Sequence, residues 1–120
     1  MQVLTKQELH NLAMNTVGKR LEEMGYEFRA INSSLKKHPQ FVLFKKGAPT
    51  IFVLVKASNN IQSPKAYDPS WMETFVKYAK SHNAQVWFAG VGIANAQSVE
   101  SPVFKDQPYY LAFDGFVKVL

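Results

Sequence analysis

Between residues 6 and 24 the apolar side chains Leu9, Leu12, Ala13, Val17, Leu21 and Met24 recur three and four positions apart, the spacing of one helix face. Thr5 and Glu8 bracket the start as a capping box, the hydroxyl accepting from the amide of Glu8 while the carboxylate reaches back. Gly25 supplies a stop. The pattern predicts one amphipathic helix over residues 6–24. Gly18 falls inside it, where glycine costs about 1 kcal/mol relative to alanine, and its bare Cα suits close approach to a sheet.

The period then changes. Residues 26–31 alternate aromatic and polar side chains, as a first strand would, and 32–38 form a polar, basic loop. Two short apolar strands follow at 41–44 and 51–57, joined by the turn Lys45-Lys46-Gly47-Ala48-Pro49. Residues 59–69 have no apolar period. Asp68-Pro69-Ser70 opens a second helix with proline in its first turn, Ser70 and Glu73 as a second capping box, and Met72, Phe75, Val76 and Ala79 as the inward stripe. Residues 86–91 are continuously apolar, which predicts a strand buried on both faces. After a polar connection over 95–108, residues 109–120 have the form of a final hairpin with Asp114-Gly115 at its tip. Three consecutive strands can pair as a meander, and a helical crossover then adds a fourth in parallel. The expectation is an α/β sandwich around a mixed sheet, in one domain spanning residues 1–120.

Composition narrows the chemistry. The 120 residues are 47% hydrophobic and 19% charged, as in an ordinary globular protein. No cysteine occurs, which excludes disulfides, thiolate metal sites and cysteine nucleophiles and fits a reducing compartment. The opening M-Q-V-L-T-K-Q-E is too polar for a signal peptide, and no run approaches the roughly 18 apolar residues of a membrane span. A cytoplasmic protein without membrane contact is the expectation. A net charge of +5 favours a polyanionic partner such as DNA or RNA.

The candidate chemistry lies in residues 38–58, H-P-Q-F-V-L-F-K-K-G-A-P-T-I-F-V-L-V-K-A-S. Pro39-Gln40 opens the first of two strands and Leu54-Val55-Lys56 ends the second. With L-E-E-M-G-Y-E-F-R-A-I-N at 21–32, this order resembles the PD-(D/E)XK nuclease-like superfamily over residues 8–93, most of all its small archaeal Holliday-junction resolvases and YraN-type endonuclease-like proteins. The resemblance implies a restriction endonuclease-like α-β-β-β-α-β core with a mixed sheet flanked by helices, followed here by a C-terminal strand or hairpin. It also implies a metal site of two carboxylates and a lysine. Gln40 stands where the family has its aspartate and Leu54 where it has its glutamate, and neither can hold Mg²⁺. The further acid that such relatives carry on the first helix falls by spacing at Met14. Lys56 alone remains, a relic of that site or a phosphate contact, or equally a strand-end lysine that snorkels to water. A glutamate on the second helix replaces the missing one in some members, and Glu73 is so placed, though a capping role suits it better.

No catalytic residue, metal or cofactor is therefore expected. The leading expectation is a catalytically inactive nuclease-like domain that binds nucleic acid in a pocket between the first helix and the strand ends. Asn11, Asn15, Gln40 and Lys56 would line that pocket, and Lys36, Lys37 and Lys56 would contact phosphate. Lys45 and Lys46 lie at the other end of the strand pair, which weighs against one compact patch and makes solvated turn lysines the simpler reading of the group. The alternative is a protein-interaction or assembly module, a homodimer for example, using a sheet edge or an aromatic face. A nuclease with a relocated acid at Glu73 comes third. His38 has no second ligand at metal spacing, and His10 and His82 suit helix surfaces. Trp71 and Tyr78, seven residues apart, share a helix face that suits the core better than a base-stacking role. No nucleophile elbow occurs, and Gly90-Val91-Gly92 belongs to a strand with no helix after it to cradle phosphate.

Overall fold

A computed structural model describes residues 2–120. The elements, in chain order, are α1 (Lys6–Glu23), β1 (Glu27–Ile31), β2 (Phe41–Phe44), β3 (Ile51–Ser58), α2 (Pro69–Ser81), β4 (Gln85–Asn95), β5 (Tyr109–Ala112) and β6 (Val117–Lys118). α1 begins at the expected capping box: Glu8 N donates to Thr5 Oγ1 at 3.1 Å and Thr5 N donates to Glu8 Oε1 at 3.0 Å. It ends where Gly25 takes a φ of +85°, a conformation that glycine adopts without Cβ strain. Gly18 meets the ring of Phe41, the close approach to the sheet that its bare Cα suits.

β1, β2 and β3 form an antiparallel meander, and the α2 crossover brings β4 alongside β3 in parallel, from Ile51 opposite Gln85 to Ser58 opposite Gly92. The mixed six-stranded sheet therefore has the expected order, β1-β2-β3-β4, with a helix on each face. Period-two alternation splits the core. Val53, Val55, Trp87, Ala89, Val91 and Ile93 pack toward α1, while Phe52, Leu54, Val86 and Phe88 pack toward α2. No helix among the described residues is long and apolar enough to cross a membrane.

Four local expectations are corrected. The C-terminal residues do not pair as a hairpin; β5 and β6 lie end to end along the free edge of β4, β5 against Gly92–Asn95 and β6 against Trp87 and Phe88. Asp114-Gly115 thus links two segments running the same way, while Phe113 and Phe116 pack into the core beside Trp87. α2 is capped by Asp68, whose Oδ1 accepts from Ser70 N at 2.9 Å, leaving Pro69 as the first helical residue. Glu73 is left on the exposed surface, 3.4 Å from Lys77 one turn on. His10 is not a surface residue: three positions before Ala13 and four before Met14, it shares their stripe and has no exposed area.

β4 is also longer than its apolar run. It continues to Asn95, paired with β3 as far as Gly92 and with β5 from there on, and its glycines admit the 59–66 loop. A Cβ at Gly90 would overlap the carbonyl oxygen of Pro64, and one at Gly92 would overlap that of Asn60. The loop lies directly on the strand, backbone to backbone.

Candidate functional site

A cleft of about 870 Å³ opens at the carboxyl ends of β3 and β4. Six parts of the chain converge there: the entry to α1, the loop before β2, the end of β3, Trp71 at the start of α2, Ile93 of β4, and residues 100–103. Its inner wall is apolar, with Leu9, Val55, Ala57, Ile93 and Val103. Lys6, Lys36, Lys56 and one acid, Glu100, are its charged residues. A smaller cavity of about 270 Å³ on the α2 side shares Lys56 and is completed by Tyr67, Asp68 and Phe88, among others.

Lys56 is where the strand leaves the core. The five residues before it are buried, and the side chain of Lys56 follows that of Leu54 onto the α2 face. Its Nζ sits 4.9 Å from the centre of the Trp71 ring, a cation–π contact. Among the described residues the only ion pair is Lys77 with Glu73, so none of the three cleft lysines has a carboxylate at pairing distance. Trp71 is half-buried and also meets His38, Phe75 and Phe88.

Gln40 is fully buried and has a structural task. Its backbone amide donates to Val53 O at 3.0 Å and its carbonyl accepts from Asn32 N at 2.7 Å. Beyond that point the chain leaves the β2–β3 ladder at Pro39, which has no amide hydrogen to offer. The Gln40 side chain fills the gap: Oε1 accepts from Val55 N at 2.8 Å, and Nε2 donates to Lys37 O at 3.1 Å and to His38 Nδ1 at 2.6 Å. Because Val55 N is a donor, it fixes which end of the carboxamide is oxygen. His38 Nδ1 must then accept, which puts the imidazole proton on Nε2.

Of the residues expected from sequence to contact nucleic acid, Lys36 and Lys56 reach the cleft. Lys37 is exposed but outside its lining. Asn11 is exposed on α1, where its Oδ1 accepts from Gln7 Nε2 at 2.9 Å, and Asn15 points to solvent one turn further on. Gln40 has no surface to offer a ligand. Lys45, over the Tyr26 ring, belongs to the far end of the meander with Lys46. Tyr78 does not join Trp71 in a platform; it stacks on His82 with ring centres 4.3 Å apart. Lys6 and Glu100 were missed. Lys6 sits in a capping sequence that says nothing of where its side chain turns, and Glu100 in a connection without period.

The carboxylate positions implied by the resemblance do not fit a metal. Gln40 is committed to backbone groups, Leu54 is 1% exposed, and among the described residues no cluster of three His, Asp or Glu side chains could hold an ion. His10 is also buried, and neither ring nitrogen has a hydrogen-bond partner. Burial holds its imidazole below the usual histidine range.

Fold and cleft together define a small α/β domain with an apolar pocket edged by unpaired lysines. The chain belongs to the family described as Domain of unknown function (DUF8840), whose model matches residues 7–119. No curated protein and no solved structure matches it.

Proposed function

We propose that this chain is a restriction endonuclease-like domain that has lost its metal-binding acids and binds DNA or RNA without cutting it. The helix, meander, crossover and parallel strand come in the order that the resemblance implies, with Gln40 at the mouth of β2 and Lys56 at the end of β3. The observation that carries the binding reading is the gathering of Lys6, Lys36 and Lys56 at one cleft with no carboxylate paired to any of them. Unpaired ammonium groups around a concavity attract a polyanion, and each phosphate neutralised releases counterions.

Fluorescence anisotropy of labelled DNA and RNA across a salt series tests this. Affinity should fall steeply with salt, Lys36→Ala and Lys56→Ala should each lower the salt slope by about one, and Mg²⁺ should produce no cleavage. Flat traces at low salt would remove the reading. A second reading, assembly through a sheet edge, is favoured by Tyr109, Tyr110 and Leu111, all exposed on β5 at the sheet margin. Self-association in sedimentation that Tyr110→Lys abolishes would support it.

A further inference from the structure

We infer that the cleft seats a single unstacked nucleotide, so that the nucleic acid recognised must present a strand end or an extruded base. This rests on the binding reading above. The cleft is of the size and character of a small-ligand site, concave, mainly apolar and edged by a few polar groups. A double helix laid across it could reach only the lysines at the edge and would leave the half-buried Leu9 and Ala57 of its wall in water. A nucleotide uses the whole site. Its base is a flat apolar disc with hydrogen-bonding edges, matched by the apolar wall and by Ser58, Asn59 and Ser101. Trp71 and His38 also line the cleft and supply aromatic surface, as in single-strand binders. The phosphate matches the lysines, and Lys56, held on the Trp71 ring rather than by an acid, is free to move onto it.

The charge pattern agrees with one phosphate-bearing occupant rather than a neutral one: three lysines face a single acid, Glu100. The base and its phosphate could come from a strand end or from a free mononucleotide, and the two sources are separable.

The test compares one labelled DNA hairpin with a blunt end, with a five-nucleotide 3′ tail and with a 5′ tail, each at low salt, with dAMP as competitor. At least one tailed form should bind tenfold or more tighter than the blunt form. Ala57→Phe, which fills the apolar wall, should abolish that preference while the circular dichroism stays native. Trp71→Ala, checked for native circular dichroism, should weaken the tailed form about tenfold. Tail preference with competition by dAMP assigns the seat to the nucleotide itself; tail preference without competition assigns it to a strand-borne one. Equal binding of blunt and tailed forms would overturn the inference while leaving nucleic-acid binding intact, as would a tail preference that survives Ala57→Phe. No binding to any probe would remove both.

Discussion

Replacing Gln40 with methionine keeps the length of the side chain and deletes its three hydrogen bonds. The damage should centre on Val55 N, which donates to Gln40 Oε1 at 2.8 Å from a residue only 1% exposed. A buried amide left without an acceptor costs about 1–3 kcal/mol. Lys37 is exposed, so its carbonyl can turn to water and should add little. The expected loss is about 2 kcal/mol, a substantial share of the roughly 5–15 kcal/mol that holds such a domain together. At about 4 °C per kcal/mol the midpoint should fall by some 8 °C. Urea unfolding measures the free energy, and amide hydrogen exchange should show Val55 losing protection ahead of its neighbours in β3. Gln40→Glu gives a sharper contrast. It restores the acid that a nuclease would carry, yet places a charge where no exposed area exists and sets it against the Lys37 carbonyl. Taking a carboxylate out of water costs several kcal/mol, so this variant should be the less stable of the two and should gain no affinity for Mg²⁺. If Gln40→Met costs under about 0.5 kcal/mol with Val55 still protected, the carboxamide is not what completes the β2–β3 ladder, and the account of Gln40 as a structural residue fails.

Three further outcomes are expected. His10→Leu should stabilise the protein by about 1–2 kcal/mol at pH 7, because two buried ring nitrogens without partners are removed. It should also flatten the acid side of the stability curve. The native imidazole resists protonation, so the unfolded chain binds more protons; stability is complete above about pH 6.5 and is lost as pH falls below it. Unfolding at pH 8, 7, 6 and 5 decides this, and parallel curves for the two proteins would count against it. Gly90→Ala should cost about 3 kcal/mol, the upper end for overpacking, because the overlapping atom is the Pro64 backbone and not a side chain that can swing away; thermal unfolding reads it. Asn11→Ala and Asn15→Ala should leave nucleic-acid affinity unchanged while Lys6→Ala lowers the salt slope, a result that anisotropy can reverse.

The elements were legible where local chemistry and period agree. The Thr5–Glu8 box and the stripe behind it marked α1, and the switch from period 3.6 to short apolar runs marked β2, β3 and the core of β4. What was illegible depends on distant partners. β4 extends to Asn95 because β5 pairs with its last four residues, and Gly90 and Gly92 give no sign in the sequence of which backbone will lie on them. Asp114-Gly115 carries the signal of a hairpin, but β4 is long enough to take both flanking segments on one edge. Lys36 and Lys56 could be picked out as cations near strand ends. Their meeting with Lys6 could not, since it depends on how the entry to α1 turns over the sheet. Gln40 was noticed for the acid it lacks, and its service to Val55 became visible only in the ladder.

The position of β4 has a consequence for how the chain is made. It pairs with β3, β5 and β6 and supplies side chains to the core on both faces, yet it comes after more than two-thirds of the sequence. A nascent polypeptide that has emerged only to the end of α2 holds two helices and a three-stranded ribbon but lacks the strand that completes the core on both faces. Loop closure must precede the reward of a non-local parallel pairing. Synthesis should therefore release the domain into its fold in one late step, once β4 has cleared the ribosome, and products truncated before that strand should go to chaperones and proteases rather than persist as a partial domain.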